Sequence, residues 1–178
     1  MQPGRAAAWS DDGEWLYYLT GADNNPKNPP CIYKVRVDGG KPIRIRCDAA
    51  SMAVTADETT GYFSPTAERQ GEVWKVSPVD TGRPEPLVTN LQSRLPLFPH
   101  HYDLSPNGLW LATPLKDQGT TNLWMISTKN GSLRQVTDFQ QRATLIGRQV
   151  SWSRDNNYIF AALVEMDADV VLIEGALP

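Results

Sequence analysis

Two adjacent histidines, His100 and His101, are the only imidazoles in the 178-residue chain and its first candidates for metal or acid–base chemistry. Their spacing argues against a shared metal, because neighbouring residues of a strand point to opposite faces and both rings cannot close on one ion. His101 and Asp103, two residues apart, fall on one face, which directs His101 toward the central channel, and a hydrogen-bonded or solvent-facing histidine is the reading that follows. No Gly-x-Ser-x-Gly nucleophile elbow, His-Glu-x-x-His zinc pattern or phosphate-cradling glycine loop occurs. The stretches GADNNPKN and MDADV lack the ligand spacing and terminal Glu of a calcium loop and read as turns. No catalytic residue, cofactor or metal ligand is assigned. What remains is a set of donors in mixed polar and apolar segments: Arg94, His100, His101, Arg142 and Arg148. Arginine clamps a carboxylate or phosphate in a paired, planar geometry, so these five are the candidate ligand-binding residues.

The elements that must position them come in copies. WSDDGEWLYY from Trp9, VTADETTGYF from Val54, LSPNGLWLA from Leu104 and WSRDNNYIFA from Trp152 align, and their turn residues Ser10, Thr55, Ser105 and Ser153 stand 45, 50 and 48 residues apart. That is close to the length of one four-stranded propeller blade. Each turn leads into an apolar or aromatic strand, a polar loop and a further strand: CIYKVRVD, EVWKVSPVD, NLWMISTKNG and DVVLIEGALP. The first three units add a fourth strand, KPIRIRC, PEPLVTNL and LRQVTDF. In SPNG, Pro106 presets φ, Asn107 tolerates the third turn position and Gly108 can turn left-handed, so the chain reverses tightly. Alternation of Val35, Val37 and Ile43, Ile45 across Gly39 and Gly40 marks a half-buried hairpin. No apolar pattern persists at helical spacing, and 13 glycines with 14 prolines punctuate the length. The expectation is an all-β chain: a β-propeller of four-stranded antiparallel blades, about four repeats at residues 5–48, 49–92, 98–139 and 147–178. The last repeat is expected to lack its outer strand, and the whole to be an open sector of a larger propeller.

Trp9, Val54, Leu104 and Trp152 precede the turns, with Ala7, Met52, Tyr102 and Val150 two residues further back, which makes one face of each inner strand apolar and suited to packing between blades. Trp15, Trp74, Trp110 and Trp124 are read as fillers of the same wedge-shaped spaces. Strands running inner to outer in alternating directions put the SPNG-type turns and the DGG-type hairpins on one face of the disc. The long loops, 20–30, 90–100, 116–121, 138–148 and 165–168, fall on the other, and rigidly held loops are where binding residues concentrate. The five candidates are expected on loops that enter inner strands. Cys31 and Cys47, the only cysteines, close one hairpin. A two-residue loop at Gly39 and Gly40 sets the sulfurs on opposite faces, whereas a longer loop or a bulge sets them face to face and permits a disulfide.

The units resemble TolB-like, WD-like β-propeller repeats, whose turn typically reads Ser-Pro-Asp-Gly and whose third strand carries an apolar pair. The match is strongest at Ser105 to Gly108 with Leu123 and Trp124, good at Ser10 to Gly13 with Ile32 and Tyr33, and departs from the pattern in TADETTG and SRDNN. It covers essentially the whole chain. The resemblance implies a non-catalytic binding or scaffold module, the C-terminal part of a longer bacterial repeat protein, that meets a protein partner or small ligand on its long-loop face and self-associates through open blade edges. The alternative is the propeller portion of an enzyme such as a prolyl-oligopeptidase-type serine peptidase. With 17 basic and 20 acidic residues the net charge is −3, which offers no polybasic field to nucleic acid. No apolar run approaches the roughly 20 residues of a membrane span, so membrane insertion is not expected. MQPGRAAAWSDDGEW lacks the basic start and apolar run of a signal peptide, so any export signal is expected outside this chain.

Overall fold

The computed structural model describes residues 5–10, 12–20, 29–47, 49–65, 71–95, 102–140 and 142–165. They form consecutive antiparallel sheets. The first holds β1 (Arg5–Trp9), β2 (Trp15–Thr20), β3 (Cys31–Arg36) and β4 (Ile43–Cys47) in sequence order. The second holds β5 (Ala49–Val54), β6 (Gly61–Pro65), β7 (Val73–Val76) and β8 (Glu85–Val88), and the third β9 (Asp103–Leu104), β10 (Trp110–Asp117), β11 (Thr120–Ser127) and β12 (Leu133–Gln135). In the fourth, β13 (Thr144–Trp152) pairs with β14 (Ile159–Glu165); the strand expected at 169–178 lies outside the described residues. These are the blades of a β-propeller, each with its first strand innermost.

One hydrogen-bond pattern closes every inner hairpin. In the third blade, Ser105 Oγ donates to Asn107 Oδ1 at 2.8 Å and accepts the Trp110 N–H at 2.9 Å, while Asn107 Oδ1 also accepts the Leu109 N–H at 3.1 Å. Ser10 with Asp12, Thr55 with Asp57 and Ser153 with Asp155 repeat this pattern. The fourth turn position is left-handed in all four: Gly13 at φ 73°, Glu58 at 55°, Gly108 at 72° and Asn156 at 62°. Sequence departures at Glu58 and Asn156 therefore leave the turn intact. Both side chains reach back to the preceding blade, Glu58 to Lys34 Nζ at 2.8 Å and Asn156 Oδ1 to the Asn107 N–H at 3.0 Å.

Three clusters seal the three blade junctions. Tyr17, Ile32 and Ile45 pack with Ala49, Phe63 and Val76 between the first two blades; Tyr62 and Val88 with Leu111, Leu115 and Ile126 between the next; Ala112 and Leu123 with Ile146 and Val150 at the last. Val54, Leu104 and Trp152 join these clusters as expected. Trp9 does not: it is 64% exposed, because its sheet face looks away from the second blade and no described residue packs over it.

Three local expectations are corrected or settled. Lys116 to Thr121 is no long loop, since β10 and β11 pair up to Asp117 and Thr120 and leave a two-residue hairpin. The loop expected at 138–148 ends early, because β13 starts at Thr144, so Arg148 sits within a strand that shifts register between Ile146 and Val150. A bulge between Ile32 and Tyr33 of the β3–β4 ladder makes Ile45 the extra residue, which enters the core and sets Cys31 opposite Cys47 in a disulfide.

Replacing Ser105 by Ala strands the buried Trp110 N–H and should lower unfolding free energy by about 1–3 kcal/mol in urea titrations, more than Ser153→Ala at its more exposed turn. The hydroxyls of Ser10, Thr55 and Ser153, followed by backbone N–H groups, hold the Asp12, Asp57 and Asp155 carboxyls below their ordinary value. A lowered carboxyl stabilises the fold above its unfolded pKa and ceases to as pH falls through the folded one. Asp103, raised by burial, has the opposite sign. Thermal unfolding should therefore show stability falling as pH drops below about 4, and Asn107→Asp, which installs a fourth such carboxylate, should steepen that fall. Unreduced, denatured protein should titrate no free thiol. Reduction of the bridge, whose cysteines are 16 residues apart, should cost about 3 kcal/mol by loop-closure entropy.

Candidate functional site

On the face opposite the Ser–Asp turns, the chain leaving β8 is pinned before it crosses to β9. Leu91 is buried and its N–H donates to the Gly71 carbonyl at 3.0 Å. Gly71 has φ 89°, and a Cβ there would lie 2.3 Å from the Gln92 nitrogen, so only glycine lets the two segments touch. A single 3-10 turn, Gln92–Arg94, follows and delivers Arg94 to the third blade.

Arg94 Nη2 donates to Asp117 Oδ1 at 2.6 Å, and its guanidinium carbon lies 4.1 Å from the centre of the Trp124 ring. Asp117 Oδ2 accepts Trp124 Nε1 at 2.8 Å and Asn122 Nδ2 at 3.2 Å. Burial pushes the Asp117 carboxyl up, but the hydrogen bonds from Trp124, Arg94 and Asn122 together outweigh it and hold the group below its ordinary value. Asn122, 2% exposed, accepts the Phe139 N–H at 3.0 Å through its other amide atom. One carboxylate thus gathers the segment entering the third blade, the hairpin of its middle strands and the chain leaving it. Beside this network runs a groove of about 630 Å³ whose walls include Ser93, Lys116, Gln118, Gln135, Asp138 and Gln140.

Of the five candidates read from sequence, Arg94 stands in this groove. Arg142 lies apart, 74% exposed and 3.8 Å from Glu165. Arg148 is placed on β13, its side chain outside the described residues, and His100 and His101 lie wholly outside them. Sequence reading missed Asp117 and Asn122 and treated Trp124 as core filler. Asp117, Asn122 and Trp124 flank one hairpin tip, with Asp117 opposite Thr120 and Lys116 opposite Thr121, and the glycine that marks this turn in the sequence, Gly119, stands one residue after the left-handed Gln118. The groove can hold a ligand by hydrogen bonds and by the edge of a neutralised Arg–Asp pair. Among its described residues no hydroxyl stands hydrogen-bonded to a histidine or carboxylate as an activated nucleophile would.

A second, smaller cavity of about 240 Å³ opens among the inner strands near the Ser–Asp turns, lined by Tyr17, Glu58, Tyr102 and Asp103 among others. Burial, reinforced by the Glu58 charge, pushes the Tyr17 hydroxyl far above its ordinary value. The Tyr17 hydroxyl and Glu58 Oε1 are buried beside one another without meeting hydrogen-bond geometry. Asp103 accepts the Trp152 N–H through Oδ2 at 2.9 Å and Trp152 Nε1 through its carbonyl at 3.1 Å, so it joins the third blade to the fourth.

No family model and no curated sequence matches the chain. Solved structures do. The chain superposes on TolB from Acinetobacter baumannii with a TM-score of 0.70 at 16% identity, covering 90% of this chain and 37% of that one. A putative TolB from Agrobacterium tumefaciens gives 0.58 at 15% identity, over 90% of this chain and 60% of the other. The β-propeller domain of the Trilobed protease from Pyrococcus furiosus gives 0.54 at 14%, over 85% and 46%. The chain spans between about a third and three fifths of these structures. Identities this low speak for the fold alone, and the fold is that of successive β-propeller blades, shared by TolB-like proteins and peptidase propellers.

Proposed function

We propose that this chain is a non-catalytic binding module that takes a polar segment of a protein partner, or a small polar ligand, in the groove beside Arg94 on its long-loop face. The observation that carries the proposal is the groove itself: it is lined by amide, hydroxyl and ammonium groups, Ser93, Lys116, Gln118 and Gln140 among them, and floored by an Arg94–Asp117–Trp124 network that holds its shape. Preorganised polar walls of this kind fix orientation without needing to react. The net charge of −3 favours protein or small-molecule partners over nucleic acid. A second reading, the propeller portion of a prolyl-oligopeptidase-type peptidase, draws on the similarity to the Pyrococcus furiosus protease domain. It requires a linked hydrolase domain carrying Ser, Asp and His, and peptidase activity from the full gene product would favour it.

A peptide-array and small-molecule binding screen, followed by substitution, tests the site. Lys116→Ala and Gln140→Ala should each weaken a genuine ligand several-fold without moving the melting temperature. Arg94→Ala should weaken it about tenfold, equal to about 1.4 kcal/mol, and also lower the melting temperature, because Asp117 loses its partner. His101→Ala and Arg148→Ala extend the test to the remaining candidates. A ligand that binds undiminished to every variant, or that maps to the turns at Ser10 and Ser105, would place the site elsewhere. The chain alone should show no hydrolase, transferase or redox activity in standard assays.

A further inference from the structure

We infer that the ligand of the groove beside Arg94 is a short neutral saccharide held by the side chains of Gln118 and Gln140; the inference rests on the groove's being the binding site. Its walls come from the third blade and the segment entering it, and that blade packs on a described neighbour at each side. The ends of the chain therefore do not create it.

The two glutamines are marked by their backbones. Among the described residues, four other than glycine take left-handed φ: Glu58, Gln118, Gln140 and Asn156. That conformation is costly for a residue with a Cβ, and Asn or Asp bears it best. Glu58 and Asn156 offset the cost through bonds to the preceding blade. Gln118, at 54°, sits in the tight hairpin between Asp117 and Thr120, and Gln140, at 55°, gives its backbone N–H to Asp138 Oδ1 at 2.9 Å. Both backbones are thus fixed, both residues line the groove, and neither side chain bonds to another described residue. A strained backbone kept where glycine would relax it points to a use for the side chain.

The composition of the walls gives the ligand's chemistry. Among the described lining residues, Arg94 and Lys116 are balanced by Asp117 and Asp138, and Trp124 is the one apolar side chain. A charged ligand meets no net charge there. An apolar one meets too little surface, since small-molecule pockets of about 300–1,000 Å³ are mostly apolar and this groove of about 630 Å³ is not. Its walls hold a hydroxyl and primary amides instead, Ser93, Gln118, Gln135 and Gln140, and each of these groups both donates and accepts. The complementary ligand carries groups that do the same side by side. Adjacent hydroxyls of a sugar ring fit, one accepting an amide N–H while its neighbour donates to the amide oxygen. Arg94 adds a planar fork, steadied over Trp124 and tied to Asp117 through Nη2.

Calorimetric titration of the intact chain with neutral di- to tetrasaccharides of glucose, galactose and mannose, beside acidic and basic peptides, tests this. At least one saccharide should bind, with an affinity that changes less than about twofold when salt is raised about tenfold. Gln118→Gly and Gln140→Gly should each weaken it about fivefold, the loss of one hydrogen bond. Both should hold or raise the melting temperature, because glycine takes left-handed φ without strain. A peptide that binds with steep salt dependence and is weakened by Lys116→Ala, with no saccharide binding, would keep the groove as the site and overturn the saccharide. A saccharide that binds every groove variant undiminished would overturn both the inference and the site. Glycine variants that melt earlier yet bind normally would show the glutamines to be structural and overturn the inference, as would the absence of saccharide binding at millimolar concentration.

Discussion

The fold depends on a hydroxyl that works twice. In each blade a Ser or Thr at the end of the inner strand donates to the Asp or Asn two residues on and accepts the N–H five residues on, where the next strand begins. That pair of bonds sets the separation of the two innermost strands and their register at the turn. From there the alternation of side chains decides which face of a blade looks forward and which looks back. The junction clusters follow from it: Tyr62 looks forward and Leu111 back because the turns before them begin at Thr55 and Ser105 in equivalent geometry.

Much of this was legible because the turn chemistry is local. Ser105, Pro106, Asn107 and Gly108 specify their conformation within four residues, and the near-regular spacing carried the inference across the chain. The copies at Thr55 and Ser153 looked degraded only because glycine was expected at the left-handed position. Glu58 and Asn156 bear that conformation and recover its cost through contacts to the preceding blade, which no local rule reveals. The disulfide is undetermined in the sequence for a related reason. Its register turns on one bulged residue, Ile45, and a bulge leaves no reliable mark in an alternating pattern.

The candidate site was half legible. Arginine in a loop suggested Arg94, but its partner lies 23 residues away, at a hairpin mistaken for a loop. Gln118 takes positive φ there without a glycine at that position, so the usual turn signal was displaced by one residue. Arg142 and Arg148 were grouped with Arg94 by topology alone. Where β13 extends to Thr144 the loop that would have gathered them shortens, and Arg142 pairs with Glu165 at 3.8 Å, away from the groove.

The reach of Glu58 and Asn156 into the preceding blade bears on how a chain of near-copies avoids stacking in the wrong order. Glu58 needs a lysine where Lys34 stands, and Asn156 needs the exposed turn amide of Asn107. Blades with glycine at that position, the first and third, send out no such link, so the tethered blades alternate with untethered ones. The register position of Lys34, opposite Tyr17, is also lysine in the second blade, where Lys75 stands opposite Tyr62, but methionine in the third, where Met125 stands opposite Ala112. The Glu58 tether thus sorts a lysine-bearing neighbour from the third blade by charge, whereas the Asn156 tether meets a main-chain N–H and fixes how closely two turns sit rather than which turns they are.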